Sequence, residues 1–380
     1  MGIEVRLPRI EPEVYREAKE CPKCGGQHFK PHGVQGERKT IRDLEHEEVK
    51  SLRRKCLRCG HKMRVYPRGV SGAQQSDRLK AITVLLYVLG LSYGAVSDFV
   101  GALGCYVCKT TVYNNVQEAG VGARQRQRWS VKGGGKRSVV GADGTYVKVK
   151  GKQVGIEVVV DDENGELLGL DIIVSENSKE VLEIVQEVVE DVDAEVMVSD
   201  DHGAYKETAT ELGLEHQICR SHVKRNVDEL TESIREQLKR KESLPKGVAS
   251  SPEHLQQDLE VLQEMVRVRP EEASNQLERM YHRYKAAPTP KKGQRHTVWY
   301  RTRMLVTRLW NRWPNLTLDQ RRGDLDGTNN TCERVIGWWI KERYRTMRGY
   351  KRPESIRNVV TLTARMGVRS GRYDMTELYM

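Results

Sequence analysis

Three acidic residues stand where strand ends and a helix start can bring them together: Asp143 in VVGADGTYVKV, Asp200 in EVMVSDDHGAY and Glu333 in TNNTCERVIGWW. Three carboxylates converging on one point can hold two magnesium or manganese ions for phosphodiester chemistry. Such ions lie about 3.5 to 4 Å apart, one activating the attacking oxygen and the other stabilising the leaving oxygen. Each acid also has a plainer reading. Asp143 opens an Asp-Gly pair, which is a turn signal. Asp200 closes an apolar run before a helix, where an N-cap belongs, and Asp201 can trade places with it. Asn330 to Glu333 has the spacing of a capping box. Yet Asp143 lies among Val140, Ala142 and Tyr146, which suit burial, and a buried carboxylate is costly unless paired or metal-bound.

The elements that must position these acids can be read from periodicity. RSVVGADGTYVKVK, KQVGIEVVVDDENG and ELLGLDIIVS are β-rich runs, the last two joined by turn residues Asp162 to Gly165. An amphipathic helix, SKEVLEIVQEVVEDV, crosses to a buried strand, AEVMVSD, followed by the helix GAYKETATELG and another strand-like run, LEHQICRSH. The order βββαβα(β) is that of ribonuclease H, and it sets the middle of the first strand beside the end of the fourth. Residues 227–320 turn helical and highly charged, an all-helical insertion with Trp299, Trp310 and Trp313. These indoles suit either a helical core or stacking on an unpaired base. Glu333 then returns on a late helix. Beyond it Lys341, Arg345 and Arg348 follow at spacings of four and three, a basic stripe for phosphate or a solvated face, with Arg334 and Arg343 adding positive charge.

Ahead of the catalytic region, assigned to 138–226 with its last part at 321–380, three smaller pieces are expected. Residues 1–70 hold Cys21-x-x-Cys24 and Cys56-x-x-Cys59, each followed by glycine, in a stretch with too few apolar residues for its own core. Four thiolates there predict a structural zinc ribbon, with His28, His32 and His61 as substitute ligands. Residues 76–125 break at Gly90 and Gly104 into three helices and suggest a helix-turn-helix or a plain helical connector. In the first case the third helix offers Lys109, Thr110, Thr111, Tyr113 and Asn114 to a DNA groove. Cys105 and Cys108 read as packing thiols, and 126–137, with three successive glycines near its end, as a linker.

Composition agrees with a polyanionic partner without deciding it. The 380 residues carry 64 basic against 53 acidic side chains, a net charge of +11. The length predicts two or three domains of roughly 150 residues each. The N-terminus lacks a secretory pattern, and the most apolar run, AITVLLYVLGLSYGAV, is too short and polar to span a membrane. A cytoplasmic, nucleoid-associated protein with reduced cysteines is therefore expected.

With its three acids, Cys219-x-x-His222 after the second aspartate, Asn330-x-x-Glu333-Arg334 opening the last catalytic helix and the basic run KERYRTMRGYK, the chain resembles a DDE transposase of a prokaryotic insertion sequence, of the Mutator-like kind. The resemblance covers roughly residues 139–357. It implies metal-dependent cleavage at paired element ends, strand transfer into target duplex DNA, a homo-oligomer, and a DNA contact by His222. Cys219 and His222 are alternatively half of a second metal site, with Cys332, or simply a buried thiol and a hydrogen-bonded imidazole. Two rival functions keep the fold: a nuclease that stops at hydrolysis, and a DNA-binding regulator without chemistry.

Overall fold

Short strands dominate the front of the chain in this computed structural model, which describes residues 4–16, 19–72, 74–174, 177–240, 244–248, 250–347, 349–366 and 372–379. They are β1 (Glu4–Arg6), β2 (Glu11–Tyr15), β3 (Phe29–Pro31), β4 (Glu37–Thr40), β5 (Glu48–Cys56), β6 (Lys62–Val65) and β7 (Pro67–Arg68). The longest, β5, pairs antiparallel with β3, β4 and β6. Its buried apolar cluster is Ile10, Ile41, Val49 and Val70. Four aliphatic side chains at roughly 1.5–3 kcal/mol each cannot offset an ordering cost of about 1–2 kcal/mol per residue over this segment. A metal cross-link would supply further stability there.

Helices α1 (Asp77–Val88), α2 (Tyr93–Ala102) and α3 (Lys109–Gly133) follow. Ser76 and Ser92 cap the first two by accepting the amides of Leu79 and Ala95. Gly90 and Gly104 have φ of +117° and +84° and end them where the sequence breaks. The third helix runs through most of the segment expected as a linker. Ala, Arg, Gln and Lys in ARQRQRWSVKG are strong helix formers, so their polarity marks an exposed helix, and the glycine run ends it.

Next come β8 (Val139–Val149), β9 (Lys152–Asp161), β10 (Leu167–Ile173), α4 (Ser178–Val192), β11 (Val196–Ser199), α5 (Gly203–Leu212) and β12 (Glu215–Ile218). Their sheet has the order β10-β9-β8-β11-β12. β9 and β10 are antiparallel, whereas β11 runs parallel to both β8 and β12. Between β8 and β9 the two turn residues, Lys150 and Gly151, both have positive φ, the geometry of a tight hairpin. Val181, Val185, Val188 and Val192 form the buried stripe of α4. Val188 packs where a side chain on Gly169 of β10 would stand, so that glycine permits the close approach of helix to sheet.

The remaining elements are α6 (Arg220–Leu238), α7 (Pro252–Val268), α8 (Ala273–Tyr284), α9 (Val298–Leu316), α10 (Leu318–Arg321), α11 (Asn330–Ile336), a π-helical stretch Gly337–Glu342, α12 (Arg343–Arg345), α13 (Pro353–Arg365), β13 (Arg372–Asp374) and a final 3-10 turn, Thr376–Tyr379. The chain divides into two compact units, one of residues 1–133, 146–154 and 335–380, the other of residues 134–145 and 155–334. In the first, α13 packs on α3: the backbone of Asn358 leaves no room for a Cβ on Gly120, and Asn358 accepts from Arg124. Residues 335–380, expected to return with the catalytic sheet, thus include a helix that completes the three-helix front. In the second unit, α6 to α9 bury Ile234, Leu255, Leu259, Tyr284 and Trp299. Among the described residues no helix is long and apolar enough to cross a membrane.

Candidate active site

Asp143 sits inside β8, which continues straight through Gly144, so the Asp-Gly pair makes no turn. The register pairs Val139, Val140 and Gly141 with Val196, Met197 and Val198 of β11. Two residues further along each parallel strand stand Asp143 and Asp200, which the register therefore brings side by side. Asp200 follows the last residue of β11, and its Oδ1 accepts the amide of His202 at 2.8 Å, which turns the chain into α5. Glu333 lies in the first turn of α11. Its carboxylate faces His222 in the first turn of α6, with Nδ1 and Oε1 3.3 Å apart, instead of folding back as a capping box.

The three acids also act on one another electrostatically. Burial, then the negative charges of Asp200 and Glu333, raise the Asp143 carboxyl to about 7, partly opposed by His222. His222 is raised to about 9, first by its hydrogen bond to Cys219 and also by Glu333 and Asp143, so it is an imidazolium at neutral pH. Cys219, His222 and Glu333 bring one ligand atom each within 4.8 Å of one another. Cys332, the partner expected for that pair, is instead buried with its thiol directed at the Val158 carbonyl, 3.8 Å away.

Two further contacts were missed by the sequence reading. Asn329 is fully buried. Its Nδ2 donates to the Ala142 carbonyl at 2.9 Å, its amide donates to Cys219 Sγ at 3.3 Å, and its carbonyl accepts the Glu333 amide at 3.0 Å. One residue thus ties α11 to the residue before Asp143 through its side chain, and to the start of α6 through its backbone amide. Asp201 is buried and held by α9: Arg308 Nε donates to its Oδ2 at 2.6 Å, and Arg312 Nη1 donates to its carbonyl at 2.7 Å. Asp201 is therefore occupied, which leaves Asp200 for the pocket. The only sequence signal for this clasp was two arginines four apart on an Arg/Trp-rich helix.

Other expected contacts divide. Lys109, Thr110 and Asn114 are exposed at the start of α3, while Thr111 pairs with Cys108 and Tyr113 turns inward to Ser355. Trp299 and Trp313 are core residues of two separate clusters, and Trp310 packs on Tyr281 in the cluster of Trp313, so no base can stack on the first two. Lys341, Arg345 and Arg334 are exposed, but π-helical winding between α11 and α12 replaces the regular stripe, and Arg348 lies outside the described residues. Arg343 is buried, its guanidinium 4.0 Å from the Tyr87 ring centre, and adds no surface charge.

In the front unit the sulfurs of Cys21, Cys24, Cys56 and Cys59 all lie within 4.8 Å of one another, without His28, His32 or His61. Cys21 and Cys59 are 3.6 Å apart, and Cys24 and Cys56 3.7 Å. Zinc–sulfur bonds of about 2.3 Å in a tetrahedron require sulfurs about 3.8 Å apart, so these donors fit a zinc ion. Backbone amides of Cys59 and Arg58 help to lower the Cys56 thiol to about 7.

A five-stranded sheet in the order 3-2-1-4-5, antiparallel on one side and parallel on the other, defines a ribonuclease-H-like α/β protein. The chain belongs to the IS66 family of transposases, whose family profile matches residues 72–345. The Mutator-like assignment is thereby corrected. Its motifs sit at strand ends and helix starts that a three-acid pocket itself requires, so they mark the class and not the family. A chain in the structure of the HTLV-2 integrase catalytic core domain in complex with magnesium (trimeric form) is similar over 29% of this chain and 77% of its own, at 18% identity and a TM-score of 0.21. A score that low adds nothing to the strand order. No curated protein matches the chain.

Proposed function

We propose that this chain is a divalent-metal-dependent DNA transposase that binds the ends of its element, cleaves them and joins them to target DNA. Asp143, Asp200 and Glu333 are the residues that would hold magnesium or manganese. Bound there, the ions would activate the attacking water or 3′ hydroxyl and stabilise the leaving oxygen. The observation that carries this reading is the parallel β8–β11 register that sets Asp143 beside Asp200, with the charges of Asp200 and Glu333 both reaching Asp143. Clustered carboxylates repel, and a cation removes the repulsion.

The chain's own residues prepare the site. Arg308 and Arg312 hold Asp201 away from it, Asn329 holds α11 against β8, and the His222 imidazolium offers a positive contact to a phosphate. Residues 1–70 are read as a zinc ribbon and 76–125 as a helix-turn-helix presenting Lys109, Thr110, Thr111 and Asn114 to DNA. Residues 138–226 and the Glu333 helix form the catalytic region, interrupted by a helical insertion over 227–320. Lys341 and Arg345 supply phosphate contacts, and a homo-oligomer pairs the ends.

Oligonucleotides carrying the element end test the reading. Joined products are expected with magnesium, nicks alone would indicate a nuclease, and a shifted but uncut band would indicate a binder. Asp143→Asn, Asp200→Asn and Glu333→Gln should each reduce cleavage on the order of a thousandfold while retaining end binding. A variant that cuts at the normal rate removes its residue from the site.

A further inference from the structure

The small sheet of the front unit carries a row of cations that its own fold does not neutralise. Lys30 of β3 lies directly opposite Lys55 of β5, which lies directly opposite Lys62 of β6. Like charges facing across strands destabilise a sheet, and three in a row on adjacent strands repeat the cost. The neighbouring row on the same face is Arg53 opposite Arg64, with the His32 amide bonded to the Arg53 carbonyl. That row is partly neutralised. Glu37 pairs with Arg53 at 2.8 Å and Arg64 at 3.1 Å, and Lys39 also reaches it. Among the described residues no carboxylate pairs with Lys30, Lys55 or Lys62. Lys30 and Lys62 are exposed and Lys55 is half-buried between them. Desolvation, followed by Lys62, Lys55, Arg53 and Lys30, lowers the His32 pKa, an independent sign that these cations converge on one face.

We infer that the Lys30–Lys55–Lys62 row is a docking surface for the phosphate backbone of duplex DNA, gripping it without regard to base sequence. The inference rests on the proposed reading of the chain as a DNA-acting enzyme and adds the surface that holds the backbone. Strands about 4.8 Å apart place the outer ammonium groups roughly 10 Å from each other, about one Debye length at 0.1 M salt. They therefore act together on one short stretch of phosphates. A polyanion removes their mutual repulsion and releases its own counterions, so binding gains from both.

The test is binding of the full chain to a labelled, random-sequence duplex of about 30 base pairs over a salt series, without divalent metal. Combined Lys30→Gln, Lys55→Gln and Lys62→Gln substitutions should make the plot of log affinity against log salt shallower by about 2.7, or about 0.9 per lost contact. Affinity at low salt should fall at least about tenfold, equally for all sequences, while zinc content is kept. The three lysine-to-arginine changes should restore the slope. If the triple variant loses zinc, Lys30→Gln and Lys62→Gln alone, at exposed positions, should each shift the slope by about one. An unchanged slope overturns the inference, as does an equal change from neutralising Lys246, Lys291 and Lys292 elsewhere. So does a wild-type preference for single-stranded RNA that the variant loses. If wild-type protein binds no duplex at all, the DNA-enzyme reading itself fails. If it binds and the variants match it, only the lysine row is refuted.

Discussion

The Asp143 carboxyl, raised to about 7 by burial and by two neighbouring acids, would link proton binding to the proposed metal binding. Its folded-state pKa lies above the unfolded value of about 3.9, so the metal-free protein gains stability from the bound proton at low pH. That gain is full below the unfolded pKa and is lost as pH rises through about 7. A divalent cation held there would compete for the same oxygen and should bind more tightly through the same window. Asp200, Glu333 and the His222 imidazolium also face this group, and His222 titrates higher, at about 9. The difference between wild type and Asp143→Asn isolates the single residue. Thermal melts with and without magnesium from pH 5 to 8 should show metal stabilisation growing with pH in the wild type and nearly flat in Asp143→Asn. The same pH dependence in both would show that Asp143 does not compete with the metal.

One strand and the starts of two helices meet at Asn329, which explains why so much of the pocket could be read locally and this part could not. The β-runs of β8 to β10 show in their β-branched residues and turns, the valine stripe of α4 in its period, and the front helices in their glycine breaks. The long α3 was disguised because exposed polar helix and polar linker share a composition. Asn329 and the Arg308–Arg312 clasp bond to partners 187 and 107 residues away for the contacts at Ala142 and Asp201, and no periodic pattern encodes such pairings. The bonds of Asn329 predict a separable role in placing elements. Asn329→Ala leaves the Ala142 carbonyl buried without its donor and should cost roughly 1–3 kcal/mol in urea unfolding. It should also raise the magnesium concentration for half-maximal cleavage and slow cleavage about 10- to 100-fold, with duplex binding unchanged. Unaltered metal dependence in a folded variant would mean that Asn329 only stabilises.

Across the molecule, segments with different sources of stability share one chain. The second unit has extended cores: the α4 stripe against the sheet, and Trp299, Tyr284 and their neighbours among the helices. The cysteine-bearing front segment has five buried aliphatic residues, Val65 besides the cluster of Ile10, Ile41, Val49 and Val70, and four converging sulfurs. Burial can hold the former folded, whereas the latter would depend on a metal cross-link to order its strands. Zinc removal is therefore expected to act locally. Cys56→Ser should lose about one equivalent of zinc by mass spectrometry of the native protein. Amide exchange should accelerate across β3 to β6 while amides of β8 to β12 and α4 keep their protection. End binding should weaken with the loss of the lysine row, yet magnesium should still stabilise the acidic pocket. Normal zinc content in this variant, or protection in β3 to β6 that survives a strong chelator, would show that the four thiols pack without a metal.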